Sequence, residues 1–164
     1  NIMSTTNRAG VDMTTDGAFQ MDVARRFSAF KDGTSSSVVA SEVIAGADHS
    51  PNGSDWDTRG VWAIHHMGAF CYTHLNTPNS SAGDALFRSS GYARCVEVLP
   101  QLPCDSAAPT RLDLHHAAAR SRHPGGIQCA FADGHVSFIS DTIDMYTWRL
   151  LGDIASGQTI SGEY

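Results

Sequence analysis

Eight histidines in 164 residues are the first chemical signal, and four of them form two pairs, His65-His66 and His115-His116. Imidazole is the commonest protein ligand for zinc and similar ions, and Asp48, Asp55 and Asp57 could add carboxylate oxygens. Neighbouring residues on a strand point to opposite faces, so one histidine of each pair at most can turn toward a shared ion. A divalent metal held by His65, His66, His115, His116, Asp55 and Asp57 is thus one reading. The competing one makes these residues scattered polar groups, with no cofactor at all. The stretch 48–57 lacks the position-by-position ligand ladder of an EF-hand.

His123 stands apart, just before Pro124-Gly125-Gly126. A lone histidine with no second proton-transfer group at fixed spacing makes a poor acid–base catalyst, so we read it as an anchor for the turn that follows. No Gly-x-Ser-x-Gly elbow, phosphate-binding loop, dinucleotide fingerprint or His-Glu-x-x-His motif occurs. The chain therefore reads as a non-enzyme.

Cys71, Cys95, Cys104 and Cys129 do not follow zinc-site spacing. Two disulfides in an oxidising compartment are expected instead. Of the possible pairings, the proline-containing stretch between Cys95 and Cys104 favours a short bridged loop, which leaves Cys71 for Cys129. Two glycosylation sequons, at Asn52 and Asn79, fall in loop-like stretches. Trp56, Trp62, Phe70 and Tyr72 could form a stacking platform for sugars, but 62 and 70 read better as core.

These residues need a scaffold, and its clearest part is the C-terminal third. Segments 127–132 and 135–139 flank Asp133-Gly134, which predicts a β-hairpin closed by a two-residue type I′ turn. Ile127, Cys129 and Phe131 would share one apolar face, matched by Val136 and Phe138. A helix over 142–151 follows, capped by Ser140 or Asp141, with Met145, Trp148, Leu150 and Leu151 as its buried stripe. An edge strand over 158–164 ends the chain. Further upstream, 18–22, 36–45 and 60–72 read as strands, 46–59 and 76–84 as loops, and 112–122 as a helical turn or two. The expected class is α+β, mostly antiparallel sheet. One globular domain over 17–164 follows an extended, polar arm over 1–16.

Composition narrows the partners. Charged residues make up only 17% of the chain, with Lys31 as the sole lysine and a net charge of −6. Nucleic acid binding needs clustered cationic side chains, so it is not expected. No apolar run reaches the roughly 20 residues of a membrane helix.

The interval from His123 to Asp133-Gly134 is nine residues. It resembles the H-X9-DG signature of a bacterial family of prepilin-like proteins, the domain of unknown function 1559 family. Asp32-Gly33-Thr34-Ser35, Arg59-Gly60-x-Trp62 and Asn76-x-Pro78-Asn79-Ser80 agree in order, over roughly 17–164. The resemblance implies a pseudopilin-like domain on the outer side of the membrane. The family's apolar N-terminal helix has no counterpart in these residues, so the sequence reads as a processed or partial product.

The expected function is a structural subunit of an extracellular pilus-like filament or surface assembly. Its sparsely charged terminal segments, 1–16 and 158–164, would add as strands to copies of itself. The alternative is an extracytoplasmic module binding a solute or carbohydrate.

Overall fold

The computed structural model describes residues 17–19, 24–46, 57–62, 67–86, 88–89, 92–93, 95, 99–105, 115–160 and 164. The arm expected over 1–16 lies outside them. A three-stranded antiparallel sheet in the order β1-β4-β5 forms the centre, from β1 (Val38–Ser41), β4 (Gly126–Phe131) and β5 (Val136–Ser140). Among the described residues a separate pair, β2 (Arg88–Ser89) and β3 (Tyr92–Ala93), two short 3-10 helices, Phe27–Ala29 and Thr34–Ser36, and one α-helix, α1 (Met145–Gly152), complete the regular elements. The molecule is thus α+β with sheet predominant.

Alternation along β4 gives the sheet its inner face. Ile127, Cys129 and Phe131 are buried while Gln128 faces solvent. They join Val38, Tyr72, Ala119, Ile139, Trp148 and Leu151 in one core. Each large side chain fully buried there contributes about 1.5–3 kcal/mol from apolar transfer.

The hairpin forms where expected, but its turn differs. Gly134 donates its N–H to Phe131 O, Phe131 donates to His135 O, and Gly134 alone takes a left-handed φ of 94°. This is a three-residue connection with a glycine bulge, in place of the two-residue type I′ turn. The extra residue shifts the pairing by one, to Cys129 opposite Ser137 and Ile127 opposite Ile139. A one-residue shift exchanges the faces of a whole strand. Ile139 therefore enters the core, and Val136 and Phe138 turn outward, 63% and 42% exposed.

The helix starts later than the pattern predicts. Asp144 caps it, accepting the Thr147 N–H at 2.9 Å, so Ser140 and Asp141 belong to the preceding turn. Trp148 and Leu151 are its buried stripe, whereas Met145 and Leu150 are only partly covered. Residues 158–160 make no strand, so the expected edge strand is not formed in its described part. Ile160 and Tyr164 instead pack against the core as irregular chain.

The strand expected over 60–72 is, in its described residues, a series of turns closed by the Met67–Cys71 bridge, and Trp62 is 86% exposed rather than core. Residues 115–122 run without helical turns, because their backbone groups bond to neighbouring loops: Thr73 N to Ala117 O, Asn79 N to Ala119 O, and Arg120 N to Glu42 O.

Candidate functional site

The family-like motifs are distant in sequence, and they bond to the two ends of the hairpin: Asn79 and Ser121 at its open end, Thr34 at its turn. Asn79 adopts a left-handed φ of 50° and uses both ends of its amide. Its Nδ2 donates to Asp141 Oδ1 at 2.8 Å and to Gly126 O, while its Oδ1 accepts the Ser121 N–H at 2.8 Å. Ser121 Oγ donates to Gly126 O and accepts the His123 N–H. Across the strand, His123 Nε2 lies 3.0 Å from Glu42 Oε1, and Glu42 Oε2 accepts the Gln128 N–H. A glycan on Asn79 would compete with the two bonds its Nδ2 donates. Asn52 lies outside the described residues.

Asp32, the first residue of another motif, binds the chain after the helix. Its carboxylate accepts bonds from Ser156 N, Ser156 Oγ and Gly157 N. Just after Gly33, Thr34 O takes the Asp133 N–H of the hairpin turn. Asp133 itself accepts from the His135 backbone and imidazole, and those bonds hold its carboxyl below the usual aspartate range. At the other end of the hairpin Pro124 and Gly125 are exposed, and Gly125 O accepts the Asp141 N–H.

Beside the 120–123 strap lies a buried ionic cluster that joins the motif residue Arg59 and the candidate ligand Asp57 to Asp84 and Arg120, which the sequence reading did not name. Arg59 pairs with both oxygens of Asp57 and reaches Asp84 Oδ2 at 2.9 Å. Arg120 reaches Asp84 Oδ1 at 2.9 Å, and the Ala118 N–H donates to the same oxygen at 3.0 Å. All four charged side chains are buried. Among the described residues two guanidiniums stand against two carboxylates. Burial alone would lower the Arg59 pKa, but the bonds and charges of Asp57 and Asp84 outweigh it and raise the value. Remaining donors go to backbone: Arg59 Nη1 to Pro103 O, Arg120 Nη1 to Ser80 O and Arg120 Nη2 to Ala82 O. The low charge content was the available signal, since a chain with few charged groups that places one in Arg59-Gly60 has some use for it.

Two depressions flank the strap. One of about 580 Å³ is lined by 79–81, 99–101 and 120–123, and the other, of about 380 Å³, by 42–45 and 120–123. Arg122 and His123 are exposed between them.

Only part of the proposed metal-ligand set falls among the described residues. His115 and His116 are buried, Asp57 is committed to Arg59, and His65, His66 and Asp55 lie outside the described residues. Among the described residues no group of three or more histidine, cysteine, aspartate or glutamate side chains is arranged to hold a metal.

Cys95 and Cys104 form a disulfide. The second expected bridge is absent: Cys71 and Cys129 are buried thiols. Cys129 lies on the inner face of β4 with its sulfur on Ser41 Oγ, while Cys71 belongs to the tight turn in which Gly68 N donates to Cys71 O. Burial pushes the Cys129 thiol up to about 11, which makes it unreactive near neutral pH.

No helix among the described residues is long and apolar enough to cross a membrane. No curated protein and no solved structure matches this sequence. The model of the family described as protein of unknown function DUF1559 matches residues 3–146, most of the chain. This protein belongs to the DUF1559 family.

Proposed function

We propose that this protein is a structural subunit of an extracellular pilus-like filament or surface assembly, polymerising by strand addition between copies. The observation that carries this reading is the outer face of the sheet, where Val136 and Phe138 are 63% and 42% exposed. Exposed apolar groups clustered on one face mark interaction surfaces. The signature residues support it too, because Asn79, Ser121, His123 and Asp133 are spent on bonds that hold loops together. The Cys95–Cys104 disulfide suits an oxidising compartment such as the cell surface.

In this reading residues 1–13 are the donor. Removing them leaves a folded monomer that no longer forms fibres, as seen by electron microscopy and sedimentation. Fibres of normal yield from the truncated chain would eliminate the arm as donor.

A second reading, an extracytoplasmic binding module, draws on the 580 Å³ depression beside Arg122 and His123. Calorimetry against acidic and neutral oligosaccharides separates the two. Saturable one-to-one binding by a persistent monomer favours the module.

A further inference from the structure

The sheet has two edges, and they differ. β1 carries an irregularity between Val38 and Ala40, which interrupts regular pairing along that side. β5 is the opposite edge, with the sequence Val-Ser-Phe-Ile-Ser. It contains no charge, no proline and no bulge in its register. Those are the devices by which edge strands normally avoid pairing with other chains.

The hydrogen-bond alternation shows which groups are on offer. Phe131 donates to His135 O and Asp141 donates to Gly125 O, so the bonded pairs of the hairpin are the odd-numbered ones. Ser137 and Ile139, opposite Cys129 and Ile127, therefore direct their backbone groups at β4. The N–H and C=O groups of Val136 and Phe138 point the other way. Among the described residues no bridge or hydrogen bond meets them.

Resting on the assembly reading above, we infer that the open side of β5 is the acceptor, and that it takes an extended segment from residues 1–16 of a second copy. An edge of this kind is complementary to another extended backbone and to little else. Length and origin favour that donor. Residues 1–16 lead into Gly17 and Ala18, and Ala18 lines a groove with Val39 and Ala132 on the β1 side of the sheet. A segment of 16 residues spans up to roughly 50 Å when extended, far more than the approximately 10 Å width of three strands. It can therefore leave its own subunit and reach the β5 edge of the next. The donor's root at Ala18 is on the β1 side and the acceptor is the β5 edge, so the contact is head-to-tail and need not close.

Residue-resolved hydrogen exchange on the full chain, as monomer and as assembled material, tests this. Val136 and Phe138 amides are expected to exchange freely in the monomer and to slow about a hundredfold or more on assembly. Ser137 and Ile139 amides should be protected in both. Val136→Lys, which places a charge on the edge without touching an inward bond, should retain the monomer's circular dichroism and lose fibres. Fibres in which Val136 and Phe138 still exchange freely would overturn this acceptor while leaving the assembly reading intact. Protection already present in the monomer would assign the edge to the chain's own arm and overturn it as well. A chain that never assembles at any concentration defeats the underlying reading, and the acceptor falls with it.

Discussion

The hairpin and helix on one side, and the loops behind the 120–123 strap on the other, are stabilised by opposite means. In the first, Ile127, Cys129, Phe131, Ile139, Trp148 and Leu151 exclude water, and the backbone bonds are those of regular strands and a helix. Among the described residues the second has a smaller apolar cluster, centred on Leu86, Cys95 and Ala117. Its segments are joined by Asp57, Arg59, Asp84 and Arg120, and by the Cys95–Cys104 disulfide. The lesson concerns tolerance. An apolar core is non-directional and absorbs modest changes in shape, whereas a buried ionic cluster is satisfied by one arrangement. The loop region is therefore specific and brittle, and the hairpin region forgiving.

The sharpest way to break this contrast is Asp84→Ala. It strands Arg59 and Arg120 in a buried site, and a loss of about 3–5 kcal/mol in urea-unfolding stability is expected. Hydrogen exchange should locate the loosening in 79–86 and 115–121 before it reaches β4. An even loss of protection across both regions would show that they are not separable.

Replacing Cys95 and Cys104 together by serine should cost about 2–3 kcal/mol, from the entropy of a loop this short. The effect should again fall on the loop region, and a chemical-denaturation midpoint unchanged by reduction would contradict it.

Gly152→Ala probes the forgiving side. A methyl group there would stand 2.6 Å from the His74 ring, so repacking should cost about 1–3 kcal/mol without unfolding the hairpin. Thermal melts with near-ultraviolet circular dichroism on Trp148 would report it.

A further effect depends on pH. His74 is buried, stacks on Trp148 with ring centroids 3.6 Å apart, and shares a hydrogen bond with Trp148 O. Burial lowers its pKa to about 3, against 6.5 for ordinary imidazole. The unfolded chain thus takes up a proton as pH falls through the ordinary value, and the folded chain does not until about pH 3. This contribution to stability is complete above the ordinary value and declines below it, by at most about 1.4 kcal/mol per pH unit. Urea midpoints measured from pH 7 to 4.5 should fall in the wild type and flatten in His74→Phe.

How much could be read in advance divides along the same line. Period-two apolar residues at 127, 129 and 131, the Asp133-Gly134 turn and the Trp148–Leu151 spacing lie within a few residues of their partners. Local pattern therefore reveals them. The Arg59–Asp84–Arg120 contacts join residues 25 and 36 positions apart, and no periodicity encodes such a pairing. That histidines 115 and 116 are buried was equally illegible, because type and spacing say nothing of burial.

By itself the amino-acid sequence determined the family, the antiparallel hairpin, the short helix and the 95–104 bridge, because each rests on short-range order or a matching motif. Only the tertiary structure decided the one-residue hairpin register, the fate of Cys71 and Cys129, and the partners of the buried charges. Those outcomes depend on small differences between competing packings. A single added loop residue turns Val136 and Phe138 from the core to the surface, and that choice is made by the folded whole.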